Sequence, residues 1–189
     1  MSAKAILHVF LALIFFTLIL VGCRSGRDNS IYEVVRPGSI APGDAVPAPR
    51  DDVVLLISGD ISVTNVDDAL AFDIETLEKL RLVRYQVSDP WLKEEVTYTG
   101  VLLSDLLAVA GSSDTAKEVM ALALDGYAAP ISVSEMESWP VLLATRSNGA
   151  HMTIENSGPT RIIFPYDLHS DVTAARNMSV WNLERLEVK

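Results

Sequence analysis

Few side chains in this 189-residue chain combine the right type and spacing for chemistry. There is one cysteine, Cys23, so an intramolecular disulfide is excluded, as is any metal site built on two thiolates. His8 sits in an apolar N-terminal run, which leaves His151 and His169 for a folded domain and excludes a three-histidine metal site. Asp167-x-His169 supplies at most two ligands, and its simpler reading is two polar residues on a solvated loop. The glycine-rich phosphate cradles G-x-G-x-x-G and G-x-x-x-x-G-K-[ST] are absent, as is the G-x-S-x-G nucleophile elbow. A Ser-His-Asp triad assembles in space, and nothing in the spacing favours one.

The elements that would position these groups are short. Val53–Ile57 is a continuous apolar strand, and Ile61–Thr64 alternates after the Gly59-Asp60 turn. Asp73 is placed to cap a short helix with Ile74, Leu77 and Leu80 inward. Arg81–Val87 reads as a strand, broken by Ser88-Asp89-Pro90-Trp91. Leu102–Ala110 reads as a helix with Leu103, Leu106, Leu107 and Ala110 on one face and Gly111 as its stop. Glu118–Leu124 and Tyr127–Val133 flank Asp125-Gly126, a strong hairpin signal. A brief helix near Ser134–Glu137 leads to strand Val141–Ala144, and Arg161–Phe164 and Val180–Val188 supply the last strands. Brief helices among many short strands predict an α+β domain with a mixed, mostly antiparallel sheet. Trp91 and Trp181 read first as core aromatics, Tyr127 as a hairpin tip able to line a pocket, and Tyr166 first as a structural tyrosine, although it stands at a strand end, where loops carry sites.

The N-terminus reads as an address. Met1–Lys4 is weakly basic and Ala5–Val21 is almost wholly apolar, marginal in length for spanning about 30 Å of hydrocarbon. Leu20-Val21-Gly22-Cys23 follows, and it resembles the lipobox of bacterial lipoprotein signal peptides. That resemblance implies cleavage before Cys23, a lipid on its thiol, and membrane anchoring through several acyl chains. Arg24 stands where an aspartate would signal inner-membrane retention, which implies outer-membrane sorting in a Gram-negative cell. The organisation expected is therefore a signal peptide over 1–22, a lipidated cysteine and linker over 23–52, and a folded domain over 53–189. The linker holds Pro37, Pro42, Pro47 and Pro49 and shows no hydrophobic period, so it reads as a tether reaching roughly 30 Å. Without the first 22 residues, which contain Lys4 and no acid, 14 basic residues face 25 acidic ones, a net charge of −11. So acidic a surface repels phosphate backbones, and nucleic acid is not an expected partner.

The order of motifs along the domain carries a further resemblance. Thr97-Tyr98-Thr99-Gly100-Val101-Leu102-Leu103-Ser104-Asp105-Leu106-Leu107 precedes Asp125-Gly126-Tyr127 and Ile131-Ser132-Val133. Pro140–Ala144, Asn148-Gly149, Gly158–Tyr166 and Trp181–Val188 follow. This pattern resembles the oxidoreductase molybdopterin-binding domain, the sulfite-oxidase-type fold, in a small stand-alone form spanning Val53–Val188. The resemblance implies a cofactor cleft, but the residues that serve it in catalytic members are altered. A cysteine thiolate binds molybdenum there, and Ser88–Val96, the corresponding stretch, has none. A His-Gly-x-Pro-x-Arg segment becomes Asn156-Ser157-Gly158-Pro159-Thr160-Arg161, and a C-terminal Lys-Trp becomes Val180-Trp181. Arg161 and Arg146 remain as anion contacts, with Tyr127, Asn156 and Tyr166 as further candidates for the cleft. The expected protein is a lipid-anchored envelope lipoprotein facing the periplasm. Its domain is expected to hold no metal, with molybdopterin the one cofactor left open, and to act without catalysis on a small anionic ligand, or as an accessory to a membrane sensor or enzyme. The alternative is a molybdopterin-dependent oxidoreductase with atypical metal ligation.

Overall fold

The apolar runs become two sheets in the computed structural model, which describes residues 31–189. The signal peptide, Cys23 and the first residues of the expected linker lie outside the described residues. No helix among the described residues is long and apolar enough to cross a membrane. One sheet joins β1 (Glu33–Arg36), β4 (Leu82–Asp89), β5 (Glu94–Leu102), β8 (Leu142–Ser147) and β10 (Arg161–Ile163) in that order, with the two-residue β9 (Ala150–His151) on β8. The other runs β3 (Leu70–Phe72), β2 (Leu55–Gly59), β11 (Leu183–Val188), β6 (Glu118–Ala123), β7 (Ala128–Ser132). Every pair is antiparallel except β2 with β11. The mixed, mostly antiparallel α+β architecture expected from the sequence is the one observed.

Local chemistry explains several boundaries. Asp73 Oδ1 accepts from the Thr76 backbone N–H at 2.7 Å and caps α1 (Ile74–Leu77), a contact typically worth about 1 kcal/mol. Gly111 ends α2 (Leu103–Ala110) at φ 62°, the left-handed position glycine adopts without a Cβ penalty. Gly100 lies where β5 meets β8 so closely that a Cβ would stand 2.0 Å from the Leu143 carbonyl oxygen. Asp125 and Gly126 turn the β6–β7 hairpin as expected, with Gly126 at φ 86°. Ser132 caps α3 (Val133–Ser138) and Asp171 caps α4 (Val172–Met178). One hydrophobic cluster draws Leu55, Ile57 and Leu186 from one sheet, Tyr85, Val101 and Leu143 from the other, and Leu103 and Leu106 from α2.

The structure corrects the expected boundary at residue 53. Residues 31–189 form one compact unit, so 31–52 belong to the domain and are not tether. β1 pairs with the edge of β4, and Arg84 reaches Glu33 at 2.9 Å across that pair. Ile40 and Val46 are buried in the core, and Asp73 Oδ2 accepts from the backbone of Arg50 and Asp51. The absence of period is real, but this segment buries its apolar residues singly rather than as a face, so periodicity cannot report it. Ile61–Thr64 does not form a strand; Ile61 makes one isolated bridge to Ser112. β3, β5 and α4 were not anticipated, and Asp89 ends β4 rather than lying beyond it.

Candidate functional site

The turn between β4 and β5 is built around Asp89. Its Oδ1 accepts from the backbone N–H groups of Trp91 and Leu92, both at 2.9 Å, so one carboxylate oxygen holds the chain that presents Trp91. The other oxygen takes Tyr98 Oη, which donates at 2.8 Å, and Arg161, which donates from Nη2 at 3.0 Å. Arg161 Nη1 donates to Tyr98 Oη at 2.9 Å and closes the triad. The Asp89 side chain is fully buried and that of Arg161 is 4% exposed. Burial works to raise the Asp89 carboxyl, but the Leu92 N–H, the Arg161 charge and the Tyr98 hydroxyl hold it below its ordinary value. Burial pushes the Tyr98 hydroxyl up, and the Asp89 carboxylate adds to that against the opposing charge of Arg161. Aromatic faces complete the enclosure: the guanidinium lies 4.7 Å from the Trp181 ring, 5.1 Å from Trp91 and 5.4 Å from Tyr98.

Two cavities meet at this aromatic wall. One, of about 390 Å³, is lined by Arg161, Tyr98, Trp91, Trp181, Asn156 and His151 among others. Arg161 and Asn156 thus line the same cavity, because the short 3₁₀ turn Ile154–Asn156, the left-handed Ser157 and Gly158-Pro159 lead directly into β10. Yet Arg161 is no open anion clamp. Both terminal nitrogens are engaged, and its Nε is buried without a hydrogen-bond partner among the described residues. Val180, just before Trp181 of the cavity wall, is fully buried.

The second cavity, of about 480 Å³, shares Trp91 and Trp181 with the first and adds Tyr127, Asp125, Arg176 and Asn177. Tyr127 therefore lines a pocket, as its hairpin position allowed, but not the one that holds Arg161. Its hydroxyl donates to the Asn177 carbonyl at 2.7 Å and ties the hairpin to α4. Trp91 and Trp181 are half-buried wall residues rather than core.

The remaining candidates go elsewhere. Arg146 donates twice to Glu78, at 2.7 and 2.9 Å, with Thr145 Oγ1 and His151 Nε2 on the same carboxylate. Burial works to raise Glu78, but these hydrogen bonds outweigh it and bring the carboxyl down to about 2. Arg146 is consumed by this pair and lines neither cavity. Tyr166 is buried with its hydroxyl 2.8 Å from Ser179 Oγ and its pKa raised to about 12 by burial; it supports Trp91 edge-on at 5.7 Å and lines neither cavity. Asp167 and His169 do not converge. Asp167 accepts from the Ser88 N–H, whereas His169 Nδ1 accepts from the Asp171 N–H, so Nε2 carries the proton donated to Glu135. Asp89, Glu78 and Arg176 escaped the sequence reading; the only local signal was Asp89-Pro90-Trp91, read as a strand break.

The fold and this cleft define a class. The chain belongs to the oxidoreductase molybdopterin binding domain family, whose model matches residues 61–172. Among solved structures it is similar to the sulfane dehydrogenase SoxCD from Paracoccus pantotrophus, with a TM-score of 0.55 at 21% identity, covering 71% of this chain and 37% of that one. That likeness is one of fold. No curated protein matches the chain in sequence.

A thiolate-bound molybdenum centre does not fit the donors present. Residues 24–189 contain no cysteine. Among the described residues, no group of three or more histidine, cysteine, aspartate or glutamate side chains is placed to hold a metal ion. The buried cation of the cleft is already neutralised by Asp89, so it offers no free charge to a pterin phosphate.

Proposed function

We propose that this protein is an envelope lipoprotein, anchored through lipid on Cys23 and facing the periplasm. Its molybdopterin-binding-type domain acts as a non-catalytic module that binds a small molecule for a membrane-bound sensor or enzyme. The observation that carries this reading is the Asp89–Arg161–Tyr98 triad sealed by Trp91 and Trp181. A cofactor cleft needs cations open to an anionic ligand and a soft donor for the metal. Here the cation is spent on an internal carboxylate, and indole rings stand against it. The preformed cavities alongside keep the capacity to bind without the apparatus to catalyse.

Family membership favours a second reading, an oxidoreductase with atypical metal ligation. One measurement separates the two: the molybdenum and pterin content of the protein purified from a host that makes the cofactor. The binding-module reading expects less than about a tenth of an equivalent of molybdenum, given the metal's preference for sulfur. Near-stoichiometric metal that survives gel filtration would promote the oxidoreductase. The anchor has its own test: Cys23→Ser should abolish labelling by radioactive palmitate, and equal labelling of the variant would remove the lipoprotein assignment.

A further inference from the structure

The cavity lined by Tyr127 and Trp181 holds two opposite charges, neither of which is in an ion pair among the described residues. Arg176, on α4, is exposed and its guanidinium lies 5.5 Å from the centre of the Trp91 ring. None of its guanidinium N–H groups has a hydrogen-bond partner among the described residues, whereas Arg81, Arg84, Arg146 and Arg161 are paired with acids. Asp125, at the β6–β7 turn, uses Oδ1 to accept from the Tyr127 N–H and leaves Oδ2 open. Both residues line the same cavity of about 480 Å³, and they form no ion pair with each other. The Tyr127–Asn177 hydrogen bond ties the hairpin to α4, so the two backbone segments that carry these charges are held side by side.

We propose that this cavity binds a small zwitterion of the α-amino-acid class carrying an apolar or aromatic side chain. The inference rests on the binding-module reading and specifies its ligand. A carboxylate matches the planar fork of Arg176, which can donate two parallel hydrogen bonds to it. An ammonium meets the open oxygen of Asp125. Trp91, Trp181 and Tyr127 supply apolar surface and ring edges for the side chain. Overall charge selects between ligand classes as well. The chain after residue 22 carries a formal net charge of −11, so a simple anion approaches against the field of the whole domain, whereas a zwitterion has no net charge to repel. A bare cation lacks a partner for Arg176 and must sit beside it.

The test uses the full chain purified in detergent, with L-phenylalanine, 3-phenylpropionate (no ammonium) and phenethylamine (no carboxylate) as probes. Binding is followed by calorimetry and by tryptophan fluorescence, to which Trp91 and Trp181 of the cavity contribute beside Trp139. L-Phenylalanine should bind at least tenfold more tightly than either analogue. Arg176→Gln and Asp125→Asn should each weaken it at least tenfold; the asparagine keeps the oxygen that accepts from Tyr127. Arg185→Gln, which removes an exposed arginine of β11 outside both cavities, should leave it unchanged. Equal binding of 3-phenylpropionate would overturn the zwitterion, and undiminished binding to Arg176→Gln would overturn the site. No binding of any of the common α-amino acids would overturn the ligand class. All three outcomes leave the non-catalytic reading standing, because that reading falls only on the molybdenum measurement.

Discussion

Two carboxylate–arginine pairs stand in the same six-stranded sheet region and answer differently to water. Asp89 and Arg161 are both enclosed, with three aromatic rings around the guanidinium. Glu78 is buried, but its partners Arg146 and His151 are 34% and 50% exposed at the side chain. Both pairs neutralise the cations that the sequence offered to an anionic ligand. They differ in what breaking them should cost. A charge stripped of its partner inside an aromatic cage cannot recover solvation, whereas one at the rim can turn to water.

The largest effect is expected from Asp89→Asn. It keeps an oxygen for the Trp91 and Leu92 N–H groups but leaves Arg161 buried and unpaired, a loss of about 3–5 kcal/mol in denaturant unfolding. A loss below about 1 kcal/mol would show that Arg161 reaches solvent and that the enclosure is not what defines this pair.

The rim pair is partly roofed by the segment first read as tether, since an Arg36 Nη2 donates to the Glu78 carbonyl and Ile40 and Val46 bury nearby in the chain. A chain beginning at Asp52 should therefore lose about 3 kcal/mol relative to one beginning at Ile31, taking about 1.5 kcal/mol for each buried aliphatic side chain. Identical melting of the two would restore the tether boundary at residue 53.

Glu78→Gln should cost about 2 kcal/mol, between the buried and exposed limits, because Arg146 and His151 can be rehydrated. Its pH dependence sharpens the contrast further. The folded-state carboxyl, at about 2, lies below its ordinary value of 4.5. Its contribution is present above about pH 4.5 and is lost as pH falls from there toward 2. Unfolding free energy measured against pH should therefore fall less steeply across this window in Glu78→Gln than in the unaltered protein. An unchanged slope would mean that Glu78 is not held charged by Arg146 and Thr145.

The smallest stability effect belongs to Arg176→Gln, an exposed cation without an acid partner, whose removal should change unfolding by less than about 0.5 kcal/mol. A larger change would assign Arg176 to the fold rather than to the cavity.

What the sequence determined by itself was whatever a few neighbouring residues decide among themselves. Asp73 caps its own helix three residues on, Gly111 ends α2, and Asp125-Gly126 turns its own hairpin. The order of such segments sufficed for the fold class and for the family, and the absence of cysteine after Cys23 was plain from composition. Tertiary structure decided which charges remain available. Arg161 finds Asp89 across 72 residues and Arg146 finds Glu78 across 68, while Arg176 and Asp125 share a cavity without meeting. Local spacing carries no information about such pairings. They arise when strand order brings distant segments together, and the cost of burying an unpaired charge then selects the partner.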